Sequence, residues 1–209
     1  DMPMHDARAG KSLAVQYGTA NRGMCHIHPQ ECHDCEAFGA DWDLRPYGLP
    51  VVKDRFAENR DKALIAKLLQ DFGIVPDILG VCKFPQSTSL RLDMYAALLS
   101  AATGWNTTDK DLLNLGERVY NLQRCFNVRE GVRRRDDLIP AGLRQPHATG
   151  TTKGVAVTNY ETMLDDYYDL RGWDKETGIP TRQRLMELGL SDIADELANI
   201  GRAKSASAS

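Results

Sequence analysis

The chain has 209 residues with a net charge of −3, 42% hydrophobic and 26% charged, ordinary proportions for a globular protein with one sizeable core or two small ones. The balance gives no basic surplus for nucleic acid or an anionic membrane, and no apolar run approaches the length of a membrane span. Five cysteines, an odd number in a chain too large to need staples, predict free or metal-bound thiols in a reducing, cytoplasmic setting.

The chain opens on Asp1-Met2-Pro3-Met4 with neither an initiating Met nor a signal peptide, and residues upstream are expected. Residues 1–56 read as a loop-rich segment holding four of the five histidines and three of the five cysteines. A helix is predicted over 58–72, where Ala63, Leu64, Leu68, Leu69 and Phe72 recur at helical spacing, Asp61, Lys62, Lys67 and Gln70 fall off that face, and Gly73 ends it. Pro76 and Gly80 break up residues 74–82 into a turn or short helix expected to carry Cys82 into the core.

Residues 89–102 read as helix, with Leu92, Tyr95, Leu99 and Ala102 on one face. Thr108 and Asp111 form a capping box ahead of a stripe at Leu112, Leu115, Val119, Leu122 and Phe126, expected to be core. Cys125 lies one residue off that stripe and reads as structural. Six arginines between 118 and 135 make this stretch basic, which suggests a solvated face or, less simply, a docking surface for an acidic electron carrier. Residues 136–157 read as a connection. Thr158 with Glu161 suggests another capping box and a helix to Arg171, Pro180-Thr181 opens a short helix, and Ser191 opens a last one. The fold class is therefore all-α and irregular: a loop-rich segment over 1–56, a helical domain over 57–203 and a low-complexity, disordered tail over 204–209. No internal repeat is present.

Two stretches could carry chemistry. In Cys25-His26-Ile27-His28-Pro29-Gln30-Glu31-Cys32-His33-Asp34-Cys35 the Cys32–Cys35 spacing suits zinc, but a structural zinc site pairs two such knuckles and there is no second. A polar loop with exposed or satisfied histidines is the plain alternative, and no metal is assigned. The second stretch is Asp77-Ile78-Leu79-Gly80-Val81-Cys82-Lys83-Phe84. Its carboxylate could accept hydrogen bonds from an N–H-rich heterocycle, and its cysteine could bind a cluster if other ligands come from elsewhere.

Several blocks carry a family resemblance. Asp77-x-x-Gly80-Val81-Cys82 resembles the D-x-x-G-L-C pterin motif of aldehyde:ferredoxin oxidoreductases, and Tyr17-Gly18-Thr19-Ala20-Asn21-Arg22-Gly23-Met24-Cys25-His26 resembles that family's Y-A-T-S-N-R-G-x-x-H loop. Leu115–Leu122 with Phe126–Gly131, Asp136-Asp137 with Pro140, Tyr167-Tyr168 with Leu170–Asp174, Gly178–Thr181 and Leu188–Leu190 follow in family order, so the resemblance covers nearly the whole chain. It implies the C-terminal helical part of an enzyme holding tungsten or molybdenum between two pterin dithiolenes beside a [4Fe–4S] cluster. It also implies oxidation of a small aldehyde to the acid, with electrons passed to ferredoxin.

The resemblance carries over residue by residue. His26 matches the active-site histidine, which would donate to the substrate carbonyl or a metal oxo group or shuttle a proton. His28 stands where Lys or Arg is expected against a pterin, so that contact should be weaker or pH-dependent. Asp77 and the Val81 backbone would hold the second pterin, and Cys82 would complete the cluster. The other cluster cysteines and the family's catalytic glutamate lie upstream, so the missing pterin-binding domains or subunit are an expected partner. Alone, the chain should expose an apolar face and tend to self-associate. A related activity, such as the tungsten subunit of an aryl-CoA ring reductase, and a non-catalytic docking module are the competing functions.

Overall fold

The computed structural model describes residues 5–28, 31–88 and 90–206. In chain order its helices are α1 (Lys11–Thr19), α2 (Glu31–Phe38), α3 (Arg60–Gly73), α4 (Val75–Leu79), α5 (Phe84–Thr88), α6 (Leu92–Thr103), α7 (Asp109–Arg129), α8 (Tyr160–Arg171), α9 (Arg182–Glu187) and α10 (Ser191–Ala206). Short 3-10 turns lie at Arg45–Tyr47, Arg134–Asp137 and Ala141–Arg144. Among the described residues extended pairing is limited to two isolated bridges, Asn21 with Gly23 and Trp173 with Pro180, so the all-α expectation holds. No described helix is long and apolar enough to cross a membrane.

α3 is the hub, packed against α1, α7 and α8. Because neighbours surround it, two of its off-stripe polar residues, Lys62 and Gln70, are buried, while Asp61 stays exposed. Lys62 is buried and meets the buried Glu36 carboxylate of α2 at 2.6 Å. Gln70 donates to Thr19 Oγ1 at 3.1 Å and accepts from the Tyr167 hydroxyl at 2.6 Å. Asp71 pairs with Arg171 of α8, both essentially inaccessible, while the Arg171 guanidinium lies 4.2 Å from the Tyr120 ring centroid. Breaking such a pair from one side strands a buried charge and costs about 3–5 kcal/mol. α7 approaches α3 so closely that a Cβ on Gly116 would sit 2.0 Å from the Asp71 carbonyl oxygen.

The N-terminal segment is only partly loop. α1 and α2 escaped the sequence reading because α1 is buried on all sides, from Lys11 through Tyr17 and again at Thr19, and so shows no amphipathic period. Cys32 and Cys35 do not sit in a polar loop: both project from α2 into the main core and are fully buried. Burial pushes the Cys35 thiol up to about 12 and the Cys32 thiol well above its ordinary value.

Three further expectations need correction. On α7 the capping box at Thr108 and Asp111 forms, but Leu122 and Phe126 are exposed. The buried face instead runs through Leu112, Gly116, Tyr120, Asn121, Arg124 and Val128. Arg124 therefore leaves the basic surface and makes a two-pronged bond to Asp137 at 2.6 and 2.7 Å. Polar residues with buried partners shift the register of a helix's inner face away from its apolar stripe. On α8, Thr158 does not cap through Glu161, which bonds Arg144 instead. Glu58 accepts from Thr158 N at 2.9 Å and from Asn159 N, and meets Lys11 of α1 at 3.0 Å, so the cap comes from a hundred residues away. Finally, α10 runs to Ala206 into the expected disordered tail; residues 207–209, like the Met2-Pro3-Met4 opening, lie outside the described residues.

Candidate functional site

The loop over residues 20–28 hangs from the C-terminus of α1 and is tied down by backbone and amide bonds. Gln16 Nε2 donates to Cys25 O at 2.9 Å, Asn21 Nδ2 to Tyr120 O at 3.0 Å, and Asn127 Nδ2 to Asn21 O at 2.9 Å. The Asp77–Lys83 turn is built by α4, which ends at Gly80 with φ 69°, a conformation that suits glycine. Val81 N donates to Pro76 O at 2.9 Å, and the Lys83 ammonium reaches back to Gly73 O at the end of α3.

The two stretches meet. His28 Nε2 lies 3.2 Å from Asp77 Oδ2, and Lys83 Nζ lies 3.2 Å from the same oxygen. Arg22 Nη1 touches the same His28 nitrogen. Neither Arg22 nor Lys83 carries a role in the sequence reading: Arg22 lies within the first motif and Lys83 directly follows the second. Burial, with the Lys83 cation next and Asp77 opposing, pushes His28 down to about 4. At neutral pH the ring is thus uncharged. Burial likewise lowers Lys83, against the pull of Asp77 and Glu31.

Cys82 does not enter the core. It is exposed, as are its apolar neighbours Val81 (46%) and Phe84 (75%), while Ile78 and Leu79 pack against the core. His26, half-buried, belongs to a different cluster from His28: its ring meets that of His5 edge-on, centroids 6.1 Å apart, and His5 stacks on His33 at 4.0 Å.

Among the described residues two buried oxygens near the second motif have no hydrogen-bond partner, Glu31 Oε2 at the start of α2 and the Tyr95 hydroxyl of α6. The sequence reading missed both: Glu31 was taken with a polar loop and Tyr95 with an apolar stripe. Burial raises Tyr95 to about 12, and the charges of Glu31 and Cys82 add to this. Burial also raises Glu31 from 4.5 to about 7, with the Lys83 cation opposing and Asp34 and Asp77 reinforcing. The folded chain therefore holds the Glu31 proton more tightly than the unfolded chain. Stability from this group is full below pH 4.5 and is lost as pH rises through about 7. At 1.36 kcal/mol per unit the loss amounts to about 3 kcal/mol. Glu31→Gln should abolish this loss, so that urea unfolding at about pH 5 and about pH 8 differs less in the variant than in the wild type by that amount. An identical pH dependence in the two proteins would show that Glu31 does not titrate in this range.

Comparison with known proteins gives this geometry its context. Residues 1–190 match the family model described as aldehyde ferredoxin oxidoreductase, domains 2 & 3. The tungsten-containing aldehyde ferredoxin oxidoreductase of Pyrococcus furiosus is 35% identical over 197 residues, covering 92% of this chain, and that of Pyrococcus horikoshii is 34% identical over 195 residues. The chain spans 30% of the length of each of these relatives. Among solved structures, the active site complex BamBC of benzoyl coenzyme A reductase, with 1,5-dienoyl-CoA, superposes with a TM-score of 0.60 at 27% identity, covering 79% of this chain and 26% of that one. A family match over most of the chain, and relatives at this level of identity, establish that the chain belongs to the aldehyde ferredoxin oxidoreductase family.

Proposed function

We propose that the chain is the C-terminal part of a tungsten- or molybdenum-bispterin oxidoreductase that converts an aldehyde and water to a carboxylic acid and passes two electrons through a [4Fe–4S] cluster to ferredoxin. The observation that carries this reading is the meeting of His28 with Asp77 at 3.2 Å, which joins the loop bearing His26 to the turn bearing Cys82. The residues present suit such cofactors. Arg22, Lys83 and Asp77 offer donors and an acceptor to a heterocycle, Val81 is exposed beside them although its N–H is bonded to Pro76 O, and Cys82 offers an exposed thiol. Among the described residues no group of three or more His, Cys, Asp or Glu is arranged to hold a metal ion. On this reading the remaining cluster ligands come from the part of the relatives that this chain does not span. The bound cofactors would supply the redox chemistry, while the protein orients them and handles protons. On this reading His26 would donate to the substrate carbonyl or carry a proton.

A second reading, the tungsten subunit of an aryl-CoA ring reductase, draws support from the likeness to the benzoyl coenzyme A reductase complex. Metal analysis of the natively purified full-length protein tests the shared part: about one tungsten or molybdenum and four irons per protein are expected. Protein free of both metals and of iron would sink both readings. Reduction of a ferredoxin by aldehydes, set against turnover with an aryl-CoA, separates them.

A further inference from the structure

α6 carries an apolar face that the described residues leave open. Its inner side, Leu92, Tyr95 and Ala96, is buried, and the helix packs on α7. Its outer side shows Ala97, Leu98, Ala101 and Ala102, all exposed, and Trp105 just past its end is exposed as well. Leu98 is 59% and Trp105 67% accessible. From Met94 to Trp105 there is no charged residue. A helix side meant for water carries polar and charged groups opposite its buried stripe, and this one does not. Charges return only at the two ends, with Arg91, Asp43 and Asp93 at the start and Asp109, Lys110 and Asp111 beyond Trp105. An apolar centre within a charged rim is the anatomy of an interface. Trp105 is also held in place. Gly104 closes α6 with φ 75° and donates to Ser100 O at 2.8 Å. Trp105 N donates to Thr103 Oγ1 at 3.1 Å, and Thr107 N to Ser100 Oγ at 3.1 Å. With the backbone under the indole already fixed, docking against it orders little more chain.

We propose that this face of α6 is where the upstream domains of the full-length protein dock, covering Leu98 and Trp105 with an uncharged apolar surface of their own. Two observations choose this occupant. The chain spans 30% of the length of its relatives, so a protein of their length has further domains to pack against it. The helix also adjoins the turn that the proposed function directs to those domains: Tyr95 lies within electrostatic reach of Cys82, and Cys82 and Val81 are exposed. An acidic electron carrier would call for basic residues, and this face has none. The exposed pair Leu122 and Phe126 on α7 is a different surface, flanked by the Arg129–Glu196 ion pair. On α6 the small Ala97, Ala101 and Ala102 let a partner helix approach closely, while Leu98 and Trp105 supply the apolar area.

The inference rests on the reading above through Cys82, but its test needs no turnover. Hydroxyl-radical oxidation of the full-length protein, located by peptide mass spectrometry, compares Trp105 with Trp42 and Trp173, which are 9% and 3% exposed. Docked, Trp105 should oxidise as slowly as those two, and its protection should persist on dilution to the monomer. Oxidation of Trp105 several-fold faster than theirs would overturn the proposal. Protection lost on dilution would also overturn it, since the face would then belong to a second copy. Ala101→Cys supplies a second probe: a maleimide should label it several-fold more slowly in the native full-length protein than in urea, and equal rates would count against docking. Protection of Trp105 in full-length protein that contains no tungsten, molybdenum or iron would sink the proposed function and leave the interface standing.

Discussion

Cys82→Ser in the full-length protein is expected to remove or degrade the iron–sulfur cluster proposed for it, with loss of the electron paramagnetic resonance signal and of iron. A cubane needs a thiolate at each iron, and serine is a poor substitute. The geometry singles out Cys82 among the five cysteines. Cys32, Cys35 and Cys125 are buried among helices, where burial raises their thiols and no route leads to a cluster shared with another domain. Cys25 is half-buried in a loop whose carbonyl is held by Gln16. Cys82 alone is exposed, two residues past the Gly80 turn, where the proposal needs it to meet ligands from the unspanned part of the protein. Cys125→Ser, in the small core formed with Leu185, Leu190 and Ala194, should leave the cluster intact. In the 209-residue chain alone, a thiol reagent should modify Cys82 before the three buried cysteines. A Cys82 variant with normal iron and an unchanged spectrum would overturn the assignment.

His26→Ala should lower turnover of the full-length enzyme by roughly a hundredfold or more, the scale of a lost acid–base group, while metal content stays the same. The separation of His26 from the His28–Asp77–Lys83 cluster makes the second half of this expectation specific. His26 contacts His5 rather than the residues proposed to hold the pterin, so its loss should change proton handling without loosening the cofactor. Loss of metal in step with loss of turnover would mean that His26 holds the cofactor site together. Unchanged turnover would return the loop to a purely structural role.

The parts of the fold legible in the sequence were those with a one-sided apolar stripe or a local cap, such as α3 and the capping box of α7. α1 was illegible because it is buried all round, and α2 because its cysteines and acids read as polar chemistry rather than as a core face. The inner face of α7 was misplaced because Asn121 and Arg124 are buried against partners distant in sequence, Trp173 and Asp137; no local pattern announces such pairs. At the site, the motif residues His28 and Asp77 do meet. Cys82 proved exposed because apolar flanks on a short turn do not say which side faces the core. Glu31 and Tyr95 could not be found from the sequence, since an unpartnered buried oxygen is a property of packing alone.

The burial of α1 sets the order in which this chain can open. A helix sheathed by α2, α3 and α8, and locked at its first residue by Glu58, exchanges its amide hydrogens only when the whole core parts. The loop bearing His26 is moored to that helix at one end and to α7 by Asn21 and Asn127. Displacing this loop therefore requires parting it from α1 and α7 together, so it moves with the core and not as a free flap.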